Sequence, residues 1–305
     1  MYDVVIIGAG PAGLSASVYA KRAGLDAITF EQNPISGGQV LNTYEVDNYL
    51  GFKGINGIDL CNNFKEHADQ LGCQFKEETV TEIKKLEGGF VVVTDKSEYR
   101  TYSVVMAMGA AHVNLGVPGE EDLAGMGVSY CATCDGAFFK NKTVAVVGGG
   151  DVAVEDAIFL ARGCAKVYLI HRRDALRAAQ MLQNGLFALD NVEVVWDTVV
   201  DEIKGEDQVE AVTVHNVKTN EKKDIAVDGV FVAIGIHPTN ELIKGMVSLD
   251  EKGYVMSGEQ CSTATPGLFV AGDLRTKRLR QIITAVSDGA NAITSVEGYL
   301  LKVKK

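Results

Sequence analysis

Short, uninterrupted apolar runs closed by glycine punctuate the chain. Residues 2–7 alternate little and are rich in Val and Ile, the pattern of a strand buried on both faces of a parallel sheet. Gly8-Ala9-Gly10-Pro11-Ala12-Gly13 follows, then a helical stretch over 14–23, Gly24, and a second apolar strand over 26–30 that ends at Glu31. This order predicts a βαβ unit with G-x-G-x-x-G at the strand-to-helix turn. Gly8 would allow the tight turn, Gly10 the close approach of backbone to a pyrophosphate, and Gly13 the packing of helix on strand. The helix N-terminus then faces the anion.

The pattern returns. An apolar strand over 143–147 leads into Gly148-Gly149-Gly150-Asp151-Val152-Ala153, a helix over 154–162, Gly163 and a strand over 166–170. Gly148 lies 140 residues after Gly8, and the same offset carries Glu31 onto His171, which opens His171-Arg172-Arg173. A carboxylate at this place accepts hydrogen bonds from ribose hydroxyls, whereas a 2′-phosphate needs arginine. The first turn is thus expected to take an unphosphorylated adenosine ribose, as in FAD or NAD. The second is expected to take NADP(H), with Arg172, Arg173 and Arg177 on the phosphate; the alternative is a solvated surface cluster.

Two further apolar strands end in glycine, residues 103–109 ahead of Pro118 and 229–235 ahead of His237-Pro238. Each closes one nucleotide unit and marks a crossing between domains. The expected organisation is a first domain of residues 1–114 and 244–305, with a second, 115–243, inserted into it. The returning segment carries a strand ending in Gly272-Asp273, where the acid suits a flavin ribityl chain or, taken alone, a helix cap. Arg280-Gln281 opens a helix that runs through Gly289 to Leu301.

Composition narrows the field. Of 305 residues, 47% are hydrophobic and 23% charged, as in a globular protein. The net charge of −11 opposes a polyphosphate partner, so nucleic acid is not expected. The N-terminal apolar run is too short for a signal peptide or membrane span, and a cytoplasmic location is expected. Histidines at 67, 112, 171, 215 and 237 show no H-x-x-H or H-E-x-x-H spacing, so no metal site is expected.

Six cysteines, at 61, 73, 131, 134, 164 and 261, are too sparse for a disulfide framework. Only Cys131-Ala132-Thr133-Cys134-Asp135 places two of them close together. By spacing alone the pair is a redox dithiol, half of a zinc site or two buried thiols. Its place just ahead of the second glycine turn points to electron transfer.

Taken together, Gly8-x-Gly10-x-x-Gly13, Gly37-Gly38-Gln39, Glu45-Val46-Asp47-Asn48, Cys131-Ala132-Thr133-Cys134-Asp135, Gly148-x-Gly150-x-x-Ala153, His171-Arg172-Arg173-Asp174 and Gly272-Asp273 with Arg280-Gln281 resemble the low-molecular-weight thioredoxin reductases of the pyridine nucleotide-disulfide oxidoreductase type. The resemblance spans the whole chain. Met108 departs from the family's usual Thr, and Leu176 from its usual Phe.

The resemblance implies an α/β fold of two Rossmann-like, three-layer ββα dinucleotide-binding domains. It implies FAD held by Gly8, Gly10, Gly13, Glu31, Gly38, Gln39, Asn48, Gly109, Gly272, Asp273, Arg280 and Gln281. NADPH would be held by Gly148, Gly150, Ala153, His171, Arg172, Arg173 and Arg177. It further implies that Cys134 faces the flavin, that Cys131 attacks the disulfide of thioredoxin, and that Asp135 is the general acid; Asp135 also reads as a helix N-terminal acid. A homodimer is implied as well, and so is a rotation of one domain on the other, with hinges at Gly116–Gly119 and Gly235–Asn240. Two alternatives stand beside it: a reductase of another thioredoxin-like or peroxiredoxin-linked disulfide protein, and a non-catalytic FAD/NADP redox sensor.

Overall fold

The computed structural model describes all residues except Tyr44, Glu45, Asp47 and Lys305, together with the side chain of Asn42. Glu45 and Asp47 of the quoted motif therefore lie outside the described residues. The chain forms two compact units, residues 1–41, 57–111 and 237–305 in the first and 42–56 and 112–236 in the second.

The first unit is built on a seven-stranded sheet. Its parallel part runs Gln74–Glu77, Ala27–Glu31, Tyr2–Ile7, Glu98–Met106 and Leu268–Val270. Val80–Leu86 and Gly89–Thr94 extend it as an antiparallel meander from the early half of Glu98–Met106. The unbroken apolar run of the first strand has a direct cause. Val4 and Ile6 pack into one cluster with Ala16, Ala292 and Val296 of the helices, while Val5 and Ile7 pack into another with Ile83, Phe90 and Val92 of the meander. Both faces of the strand are covered, which makes three layers and favours apolar side chains at every position.

Helices Pro11–Arg22 and Ile282–Val303 lie in close contact because Gly289 lacks a side chain: a Cβ there would lie 2.2 Å from the Ala12 carbonyl oxygen. Gln281 caps the longer helix in a reciprocal capping box with Thr284, which satisfies two of its orphan backbone donors.

The second unit repeats the plan. Five parallel strands lie in the order Val192–Val195, Lys166–Ile170, Thr143–Gly148, Gly229–Ala233 and Val128–Ser129. A three-stranded antiparallel sheet, Thr198–Lys204, Ala211–Asn216 and Lys222–Ala226, is also present. Val144 and Val146 pack with Ala153, Ala157 and Leu160 of the helix Asp151–Ala161, whereas Ala145 and Val147 pack with Val200, Val212 and Val214 of the antiparallel sheet.

The crossings differ from expectation. They fall between Ala111 and His112 and between Ile236 and His237, a few residues ahead of the expected 114/115 and 243/244. Backbone bonding sets them there. Thr239 N donates to Gly109 O (3.1 Å) within the first unit, and Val113 N donates to Gly235 O (3.0 Å) within the second. Residues 42–56, expected in the first domain, group with the second unit; Val46 and Ile55 close this excursion with a pair of backbone hydrogen bonds.

Candidate active site: two glycine turns and a disulfide

In the first turn the three glycines differ in what a side chain would meet. A Cβ on Gly13 would lie 1.8 Å from Gly8 O, and one on Gly8, whose φ is +99°, would lie 2.6 Å from Ala107 O. Gly10 is different: its nearest neighbour would be Gly37 O at 4.0 Å. The open position is the one at which a pyrophosphate must approach backbone. Gly38, with φ +60°, lies beside Gly10, and Gln39 Nε2 donates to Ala110 O (2.6 Å). Gly109 (φ +66°) has no atom within 4 Å of a built Cβ.

Glu31 ends its strand and turns back to the loop. Its Oε2 accepts from Ala9 N (2.8 Å) and its Oε1 from Asn33 N (3.0 Å). With the Asn33 side-chain amide also donating to Oε1 (3.2 Å), three donors are fixed, and the carboxylate still has a lone pair to offer a ribose hydroxyl.

Gly272-Asp273-Leu274 forms a single 3-10 turn after the strand Leu268–Val270. Asp273 Oδ1 is buried without a hydrogen bond, 3.9 Å from Lys277 Nζ. Burial pushes the Asp273 carboxyl up, against the pull of Lys277 and Arg280. Arg280 stacks its guanidinium 3.8 Å from the Tyr254 ring centre, and its Nε is buried without a partner. A buried acceptor and a buried donor without partners fit a hydroxylated, polar ligand such as a flavin ribityl chain. Asn48, exposed, lies on the 42–56 segment and so outside this unit.

Sequence reasoning missed the support behind this turn. Asp288, 2% exposed, accepts from Arg275 through Nε (2.9 Å) and Nη2 (2.6 Å), pairs with Lys277 Nζ (2.6 Å), and accepts from Gly272 N (3.0 Å). A buried carboxylate holding two cations and the backbone of Gly272 fixes the turn that carries Asp273. The available signal was two cations, at 275 and 277, following Asp273 in an acidic chain.

The second turn repeats the first with one exchange. Cβ atoms on Gly148 and Gly149 would lie 2.5 Å from Ala233 O and 2.2 Å from the His171 ring, while Gly150 has nothing within 4 Å. Ala153 is fully buried against Gly148. His171 occupies the place of Glu31. Its ring packs on Gly149, and its Nε2 is 3.1 Å from Ala175 O. Burial lowers its pKa, and Arg177 and Arg173 lower it further, so it stays neutral near pH 7.

Arg177 N donates to Gly149 O (2.7 Å), which fastens the arginine segment to the turn. The side chains of Arg172, Arg173 and Arg177 are exposed and, among the described residues, form no ion pair with a carboxylate. Four lysines of this unit, by contrast, do pair: Lys166, Lys204, Lys218 and Lys222 each bind an acid.

Cys131 and Cys134 form a disulfide with their Cα atoms 5.3 Å apart. Both are half-buried at the short helix Ala132–Asp135, with the amides of Cys134 and Asp135 donating to Cys131 O. Asp135 falls in the first turn of this four-residue helix and is the N-cap residue of the 3-10 turn Gly136–Phe139, without a side-chain cap hydrogen bond, so its place fits the helix N-terminal reading. Its carboxylate is held by Ser129, whose Oγ donates to Oδ2 at 2.5 Å and accepts from Cys131 N at 3.1 Å. Ser129, 6% exposed at the end of Val128–Ser129, was not foreseen. A cavity of about 60 Å³, lined by Gly127, Ser129, Asp135 and Phe139 among others, adjoins the carboxylate and has room for water.

Cys61, Cys73, Cys164 and Cys261 are free thiols. Burial pushes Cys61 and Cys261 up to about 12 and Cys164 up to about 11, which keeps all three as unreactive thiols at neutral pH.

The family model described as pyridine nucleotide-disulphide oxidoreductase matches residues 2–289. Thioredoxin reductase of Bacillus subtilis (strain 168) is 43% identical over 306 residues, covering 100% of this chain and 96% of that protein. The structure of thioredoxin reductase from Streptococcus pyogenes MGAS5005 is similar at TM-score 0.95 and 43% identity, with 99% of each chain covered. That of Lactococcus lactis thioredoxin reductase in its FR conformation has 40% identity and TM-score 0.68, covering 99% of this chain and 100% of that one.

Proposed function

We propose, from the premise that the chain belongs to the pyridine nucleotide-disulphide oxidoreductase family, that it is an NADPH-dependent thioredoxin reductase. The observation that carries the proposal is the Cys131–Cys134 disulfide in the same unit as a glycine turn flanked by arginines that form no ion pair among the described residues, while the other unit's turn ends in a carboxylate. Full-length relatives named for this activity support it.

In this reading the first unit holds FAD. Gly10 gives room to the pyrophosphate, Glu31 accepts from the adenosine ribose, and Asp273 Oδ1 accepts from the ribityl chain. Gly38, Gln39, Gly109, Arg280 and Gln281 complete the contacts. Arg172, Arg173 and Arg177 hold the 2′-phosphate of NADPH over the turn of Gly148, Gly150 and Ala153. FAD supplies what no side chain can, acceptance of a hydride from nicotinamide and onward transfer of the electron pair.

The chain's own residues do the rest. On accepting two electrons and two protons the Cys131–Cys134 bond would open to a dithiol, whose thiols give up their protons to become the attacking thiolates. Cys131 thiolate attacks one sulfur of the thioredoxin disulfide, forming a mixed disulfide and releasing one thioredoxin thiolate. Cys134 thiolate then attacks the Cys131 sulfur, which restores the internal bond and releases the second thiolate. Asp135, aimed by Ser129, exchanges the proton with the departing thiolate. Since the nucleotide turn and the disulfide share one unit, each must reach the flavin in its own half-reaction. A rotation of one unit on the other is therefore part of the proposal, as are a homodimer and a cytoplasmic location. Among the described residues no helix is long and apolar enough to cross a membrane.

The test is NADPH-driven reduction of a matched thioredoxin. Yellow protein bleached by NADPH and not by NADH, with turnover abolished in Cys131→Ser and Cys134→Ser while flavin reduction persists, is the expected result. A protein that binds no flavin, or one that leaves thioredoxin oxidised, sinks the reading.

A further inference from the structure

The segment by which the chain enters the second unit was expected to bend at Gly116–Gly119. It is instead fastened along its length. The Glu120 carboxylate, 1% exposed, accepts from the consecutive amides of Leu115 (2.8 Å, Oε1) and Gly116 (2.7 Å, Oε2). Pro118 O accepts from Ile203 N (2.9 Å), and a Cβ on Gly119 would lie 1.9 Å from Ile203 O, so this stretch lies directly on the strand Thr198–Lys204. A loop with its amides satisfied and its backbone against a strand is a poor hinge.

The same carboxylate reaches the residue next to the redox pair. Tyr130, covalently adjacent to Cys131, donates its hydroxyl to Glu120 Oε1 at 3.0 Å. Burial and then the charge of Glu120 push the Tyr130 phenol up, so it remains a donor across the physiological range. The ring of His112, the first residue of the unit, stacks on the Tyr130 ring with centres 5.2 Å apart and planes at 26°. Burial keeps that imidazole neutral. Three donors from two chain segments thus converge on one buried carboxylate, and an aromatic stack joins the same segments a second time.

We propose that Glu120 and Tyr130 are positioning residues for Cys131. They join the entry segment 112–120 and the Cys131–Cys134 loop into one rigid piece. The consequence for the reaction rests on the reading of Cys131–Cys134 as the redox pair. A disulfide that is presented to two successive partners has to keep its sulfur geometry through the movement, and small misplacements at a reacting centre are costly. The tether provides that constancy without touching either sulfur.

The test uses the full flavoprotein with Tyr130→Phe, which keeps the ring stack, and Glu120→Gln, which keeps the shape. Amide hydrogen exchange on the oxidised protein reads the coupling. Tyr130→Phe is expected to speed exchange at Leu115 and Gly116 by about fivefold to tenfold, the loss of one hydrogen bond's worth of protection, although their own acceptor is intact. Glu120→Gln is expected to speed exchange over 131–136, and the double variant to go no further than the larger single effect. Effects confined to each variant's own segment, or simply additive, overturn the proposal. In rapid-mixing kinetics both variants should slow reduction of the Cys131–Cys134 bond on the order of tenfold and leave flavin reduction by NADPH unchanged. Equal slowing of both steps would mean general loosening and also overturns it. If wild-type Cys131–Cys134 is not reduced by NADPH, the thioredoxin reductase reading fails, and the exchange measurements still decide whether the tether exists.

Discussion

Ser129 Oγ donates a 2.5 Å hydrogen bond to Asp135 Oδ2 across the turn that carries the Cys131–Cys134 disulfide. The same hydroxyl accepts from Cys131 N, so one side chain ties the first cysteine's backbone to the acid expected to serve it. Charge-assisted bonds of this kind are about twice as strong as neutral ones.

Ser129→Ala removes both contacts while leaving the disulfide and the nucleotide turn in place. Thiol–disulfide exchange with thioredoxin should fall on the order of tenfold to a hundredfold, with NADPH-dependent flavin bleaching at the wild-type rate. Asp135→Asn should fall at least as far. If Ser129→Ala exchanges at the wild-type rate, aiming of Asp135 is not what the serine contributes.

The three exposed arginines give a prediction about nucleotide choice. Their guanidinium groups are not committed to carboxylates among the described residues, so binding a 2′-phosphate disrupts no existing ion pair. Arg172→Ala and Arg173→Ala should each raise KM for NADPH about tenfold to a hundredfold, as expected for loss of about 1.5–3 kcal/mol per charged hydrogen bond, and leave KM for NADH nearly unchanged. A parallel rise for both nucleotides would place these arginines elsewhere than on the phosphate.

The glycine turns were readable because the chemistry is local: strand, turn, helix and terminal residue follow one another, and the repeat supplied an internal control at a fixed offset. That offset led to His171 in the place of Glu31, and the structure gives the exchange a physical form. The carboxylate accepts a loop amide, whereas the imidazole packs on Gly149. What escaped were contacts between residues distant in sequence or ordinary in type. Asp288 and Arg275 belong to no motif, and only the fold shows one buried against the other. Ser129 carries no motif, since a serine ending a strand is common. The glycine-ended strands 103–109 and 229–235 marked the neighbourhood of both crossings, and the chain changes unit after Ala111, two residues beyond Gly109, and after Ile236, one residue beyond Gly235.

Gly10 and Gly13 separate packing from ligand approach. Gly13→Ala forces a Cβ to within 1.8 Å of Gly8 O, and the apoprotein should lose about 3 kcal/mol or more by overpacking. Gly10→Ala meets nothing nearer than 4.0 Å, and Gly10 has φ −72°, which alanine adopts freely. Its apoprotein should melt within about 2 °C of wild type yet retain little flavin, because the methyl fills the space proposed for the pyrophosphate. Normal flavin content in Gly10→Ala would contradict that placement.

Asp156 should leave a signature in the pH dependence of stability. It lies half-buried on the helix Asp151–Ala161, and burial, helped by the neighbouring Glu155, raises its pKa to about 7. A carboxyl with a raised folded pKa binds its proton more tightly folded than unfolded. Its stabilising share is complete below the unfolded value near 4 and is lost as pH rises towards 7, after which the curve levels. Asp156→Asn has no such proton to lose. Measured on oxidised flavoprotein without nucleotide, the variant and wild type should melt alike at pH 4.5, and the variant should gain by about 1 kcal/mol or more by pH 8, the equivalent of at least one pKa unit. A difference that stays constant between those pH values would show that Asp156 titrates as an ordinary exposed carboxyl.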